Sequence, residues 1–144
     1  MPIRVLFAAL LALVSATSTL QAQASAQPAA QTPAPEISIR EPRDGATVPR
    51  TFTLVFGLNN WGVAPASVNF PRTGHFHVLI NTDAGAPGTV IPADSLHRHF
   101  GTGAIETTLT LAPGTYTLRA VLGDHEHKVI SRELVSAPIR ITVR

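Results

Sequence analysis

The chain has 144 residues, a formal net charge of +2, no cysteine, and 22 glycines and prolines taken together as 10 and 12. That length holds one domain, and the lack of cysteine excludes disulfides, thiolate nucleophiles and thiolate metal ligands. The basic residues are almost all arginine and lie scattered without interleaved aromatics, which argues against nucleic acid as a partner.

Residues 1–24 read as a secretory signal peptide. Arg4 supplies the positive start, residues 5–14 (VLFAALLALV) the apolar stretch, and Ala22-Gln23-Ala24 or Ala24-Ser25-Ala26 a small-x-small cleavage site. A bilayer span needs about 20 mostly apolar residues, and Ser15, Thr17, Ser18 and Thr19 interrupt this run early. The expectation is export to the periplasm with no membrane attachment after cleavage; secretion, or retention through the signal as an anchor, are the alternatives. Residues 25–35 (SAQPAAQTPAP) form an Ala/Pro/Gln-rich linker with nothing to bury. The folded domain is then expected over residues 36–144.

Within that domain the pattern is all-β. Residues 37–40 (ISIR) alternate apolar and polar before a turn through Pro42 and Asp44-Gly45. Further strands are expected at residues 51–58 (TFTLVFGL), 76–81, 106–111 (ETTLTL), 116–122 (YTLRAVL) and 139–143 (IRITV). Six or seven short strands joined by Gly/Pro-rich turns point to an antiparallel two-sheet sandwich of immunoglobulin-like type, with a small β-barrel as the alternative. Two connections, residues 59–74 and 82–95, are longer than hairpins need, which makes them places to look for function.

All six histidines fall into three His-x-His pairs: His75 and His77, His97 and His99, His125 and His127. Random placement would give roughly 0.25 such pairs by simple template counting. In a strand, residues two apart project to one face about 6.5–7 Å from each other, so each pair is a natural half-site for zinc or copper, to be completed from elsewhere in the fold. Glycine adjoins every pair: Gly74 and Gly123 before the first and third, Gly101 and Gly103 after the second. Close backbone approach at one end of a sandwich is therefore open to all three.

No other chemistry has its residues in place. The serines show no nucleophile-elbow glycines, and Glu106, Asp124, Glu126, Asp83 and Asp94 read as turn or solvated positions rather than as a paired-carboxylate site. Whether the chain is an enzyme stays open, with binding favoured; any catalysis would have to run through metal-activated water.

The set EPRDGATV, VFGL, GVAPAS, TGHFHVLIN, IPAD, HRHFGTGAIET, LAPGTYTLRAVLGDHEH and ITV resembles the bacterial family catalogued as domain of unknown function 4399. In that family the first block usually reads Gly-His-His-His, so the resemblance matches His75 and His77 while Phe76 stands for the middle histidine. His97, His99, Asp124 and His127 match the family's other blocks, and His125 is an extra of this chain. The resemblance implies no activity, because none is assigned to the family.

The expectation is thus an exported β-sandwich that binds copper or zinc through His75, His77, His97, His99 and His127, with Asp124 as ligand or orienting group and His125 ranked last. The alternative is a module for a peptide, glycan or protein partner, with the histidines as a structural polar cluster.

Overall fold

The computed structural model describes residues 32–144; the expected signal peptide and residues 25–31 of the expected linker lie outside the described residues. Nine strands follow in order: β1 (Glu36–Glu41), β2 (Thr47–Val48), β3 (Thr51–Asn59), β4 (Gly62–Val63), β5 (Thr73–Ile80), β6 (His97–Phe100), β7 (Glu106–Thr110), β8 (Gly114–Gly123) and β9 (Ile139–Val143). A 3-10 turn, Arg132–Leu134, precedes β9. Among the described residues no helix is long and apolar enough to cross a membrane.

The strands make a β-sandwich. One sheet has the order β1-β3-β7, and the other runs β2-β9-β8-β5-β4 with β6 also paired to β5. Most pairings are antiparallel, as expected, but β2 with β9 and β4 with β5 are short parallel pairs. The core lies between the sheets, where period-2 alternation delivers Ile37 and Ile39, Phe52, Leu54 and Phe56 from one side and Phe76, Val78, Leu118, Ala120, Leu122 and Ile141 from the other. Phe56 and Phe76 stack across the gap at 4.2 Å, ring planes 13° apart. Full burial of such a ring contributes about 1.5–3 kcal/mol.

β5 is buried on both faces, which an alternating strand at a sandwich surface would not be. Its second face is covered by the connection after it. Backbone bonds from Gly88 N to Val129 O, Val129 N to Thr89 O and Ile91 N to His127 O lay residues 88–91 against residues 127–129. Under that cover Leu79, Ile91, Val121 and Val129 form a second, smaller apolar cluster. The long connection at residues 82–95 is thus a wall built over the outside of the sheet, and His75 and His77 stand beneath it.

Candidate metal centre

Register decides which histidines meet. His75 and His77 point to the outer face of β5, opposite in sense to Phe76 and Val78 in the core. Across β5 and β6, His77 is directly opposite His99, and Leu79 is opposite His97. Across β5 and β8, His75 is opposite Gly123 and His77 opposite Val121. His99 therefore shares a row with His77, whereas His97 falls one row further along, over the apolar cluster.

The third pair enters through a turn. His127 N donates to Asp124 O at 2.9 Å, and Asp124 N donates to Lys128 O at 3.0 Å, closing a three-residue loop at the end of β8. The Asp124 carboxylate accepts from the backbone N–H groups of Glu126 and Lys128 at 2.9 and 2.8 Å. The last loop residue, His127, has φ 61°. In such hairpins this left-handed position is the one glycine usually takes. A non-glycine residue there costs on the order of 1 kcal/mol, the lower end of the range for strained backbone, and such strain collects at functional sites.

Four imidazoles converge as a result. Ring centroids of His75 and His77 are 4.8 Å apart, His75 and His99 4.9 Å, His75 and His127 4.9 Å, His77 and His99 5.1 Å, His99 and His127 4.9 Å, and His77 and His127 5.8 Å. No two rings lie parallel: their interplanar angles run from 46° to 87°. Nitrogens of His75, His77 and His99 all lie within 4.8 Å of one another, close enough to share one ion. His75 and His77 are each 1% exposed, while His99 is exposed on β6. A cleft of about 360 Å³ leads from solvent to His77, His99 and His127, walled by Val90, Ile91, Pro92 and Ala93, with Glu126 beside it.

The glycines around the pairs supply the room. A Cβ on Gly123 would lie 2.9 Å from His77 Nε2, and one on Gly101 would lie 2.6 Å from His99 Nε2. Their relevance was visible in the sequence only as adjacency to the pairs.

The electrostatics keep the buried rings neutral. Burial, then the neighbouring His99 and His127, push the His75 pKa down to about 4, against a weaker opposing pull from Asp124. Burial and the surrounding histidines push His77 down to about 3. His99 is also lowered, first by burial and then by His127. Neutral imidazole is the form that ligates a metal. The Nε2 atoms of His75 and His77 are 2.9 Å apart and hydrogen-bonded, and Nδ1 of His77 is buried without a hydrogen-bond partner. An orphaned, neutral, buried nitrogen in a ring of imidazoles is chemically suited to a metal ion, which would replace the partner that burial removes.

The remaining candidates stand apart. His97 turns its Nδ1 to Asp94 Oδ1 at 2.7 Å and lines a separate cavity of about 300 Å³ over Leu79, Ile91, Val121 and Val129. That hydrogen bond is the main reason the Asp94 carboxyl sits below its usual range. Asp124 spends its carboxylate on the turn and so positions His127. His125 is exposed and faces a third cavity, beside Trp61 and Phe70. Trp61 packs against the main core with Arg72 over its ring at 4.7 Å, and it also lines that third cavity.

The family model described as "Domain of unknown function (DUF4399)" matches residues 54–144, a span that holds all six histidines. No curated protein and no solved structure matches the chain.

Proposed function

The chain belongs to the DUF4399 family, and we propose that it is an exported protein that binds a transition metal, copper or zinc, through His75, His77, His99 and His127. The observation that carries this reading is the convergence of four imidazoles from three separate segments of the chain, with ring centroids no more than 5.8 Å apart. Within the cluster Nδ1 of His77 is buried with no hydrogen-bond partner, and an unsatisfied buried nitrogen costs about 1–3 kcal/mol, which a bound ion or a partner would relieve. Export, to the periplasm, is supported by the Arg4 start, the apolar residues 5–14 and the small-residue cleavage sites. There the metal would be taken up without thiolates, in keeping with a chain that has none.

The rival is a module for a peptide, glycan or protein partner in which the histidines form a polar cluster. It draws on the His75–His77 hydrogen bond, which already satisfies one nitrogen of each ring. Tag-free protein purified from its native compartment and examined by native mass spectrometry separates the two. One transition-metal ion per chain supports the proposal. Metal-free protein, with a melting temperature indifferent to added copper(II) and zinc at pH 7.5, would sink it and promote the polar cluster.

A further inference from the structure

Resting on the metal-binding reading, we infer that the four imidazoles close a tetrahedral shell and that the ion they are shaped for is zinc(II). The six centroid separations carry the argument. A zinc–imidazole bond of about 2.0–2.1 Å plus about 1.2 Å from nitrogen to ring centre places each centroid about 3.2 Å from the ion. A tetrahedron of that radius has six equal edges of about 5.2 Å, whereas a square plane has four of about 4.5 Å and two of about 6.4 Å. The observed separations are 4.8, 4.9, 4.9, 4.9, 5.1 and 5.8 Å. They cluster about the tetrahedral value, and none reaches the diagonal of a plane; by their nitrogens His75, His77 and His99 already group within 4.8 Å, and His127 is the ring that completes the shell when the ion binds.

The frame resists flattening. His77 is held between Val121 and His99 in the ladder and lies against Gly123, where even a methyl group has no room. His127 is fixed by the Asp124 turn and by the bond from Ile91 N to its carbonyl at 2.7 Å. Copper(II) favours tetragonal geometry, so this arrangement works against it. Copper(I) shares the tetrahedron but is selected by thiolate and thioether ligands; the chain has no cysteine, and its one methionine is Met1. Zinc(II) has no geometric preference from its d electrons and accepts an all-imidazole shell. The exposed His99 and the cleft beside His127 mark the side from which the ion enters.

Full-length, tag-free protein loaded with cobalt(II) reports the geometry through its visible absorption. The expected result is the intense band set of a tetrahedral site at one cobalt per chain, displaced by zinc. The variant His127→Gly is suited to its backbone position, so it folds; it should weaken zinc binding by about 100-fold or more, beyond the 10–100-fold typical of losing a supporting residue, and should lower the cobalt bands. His97→Ala should leave both unchanged. Weak octahedral-type bands, His127→Gly binding zinc as the parent does, or a tetragonal copper(II) resonance that zinc cannot displace would overturn the zinc assignment and leave metal binding in place. Failure to bind cobalt, zinc or copper at all would overturn both.

Discussion

Gly123 and His77 occupy one another's space: a Cβ on Gly123 would come within 2.9 Å of His77 Nε2 and 3.0 Å of its Cδ2, with Ile91 Cδ1 behind at 3.2 Å. The imidazole is 1% exposed and cannot swing aside into solvent. Gly123→Ala is therefore expected to cost about 1–3 kcal/mol, as overpacking does, and to lower metal affinity at least tenfold by displacing His77. Chemical denaturation and a zinc titration measure the two effects; an alanine variant that binds zinc like the parent would show that His77 is not held as described.

Replacement of single histidines should follow the register. His77→Ala or His99→Ala removes a ring from the centre of the cluster and should abolish tight binding, while His125→Ala should leave most of it. His97→Ala now belongs with His125→Ala, because His97 is one row away and already engaged by Asp94. Calorimetric titrations of the four variants would refute this ordering if His97→Ala lost as much affinity as His99→Ala.

Acid should destabilise the metal-free protein through the buried pair. The folded pKa values of about 4 for His75 and about 3 for His77 lie below the ordinary 6.5. Between those values the unfolded chain binds more protons than the folded one, so stability is retained above about pH 6.5 and lost as the pH falls toward 4. Each ring contributes a slope of about 1.4 kcal/mol per pH unit. Urea unfolding at pH 7.5, 6.0 and 5.0 reads it directly, and the double variant His75→Gln with His77→Gln should be much flatter. Equal pH slopes in the two proteins would place the acid sensitivity elsewhere.

Bound zinc should add to this dependence. At about 100 times the dissociation constant the ion stabilises by about 2.7 kcal/mol; because His75 and His77 take protons only near pH 4 and 3, the gain in melting temperature should persist from pH 7.5 to about pH 5 and be lost as the pH falls through 4, where protons compete for these imidazoles. A gain that persists undiminished through pH 4 would mean the ligands are not histidines.

Limited proteolysis should trim the chain before about Glu36 and spare the rest. Residues 32–34 are exposed and outside any strand, whereas Ile37 and Ile39 are buried in β1. Resistance of the Ala/Pro/Gln-rich segment would contradict its reading as a linker.

The strands that alternate cleanly are legible in the sequence. Residues 51–58 and 116–122 became the long β3 and β8 because Phe52, Leu54 and Phe56, or Leu118, Ala120 and Leu122, recur at period 2 with no competing pattern. β6 was not foreseen as a strand. It is four residues long, three of them titratable, and pairs only with β5; its one strong apolar signal is Phe100, which packs onto the main core. β5 begins at Thr73 rather than residue 76, since the short β4 holds its first residues. β2 and β4 were likewise beyond the sequence, because two-residue pairings have no periodicity to read.

The chemistry open to the site was determined by sequence alone: with no cysteine and every histidine in a His-x-His pair, imidazole is the side chain that can cluster, and the strand period gives each pair a common face. Which imidazoles meet was decided only by tertiary structure. Register across β5 and β6 is a long-range property: it places His99 beside His77 and His97 beside Leu79, and a slip of one residue would turn both to the other face. His125 and His127 are separated by turn geometry rather than by strand alternation, for the left-handed backbone at His127 and the Asp124 bonds send one ring into the cluster and leave the other exposed. Spacing in sequence reports what one strand can present, and only the packing of several strands and a turn fixes what they present it to.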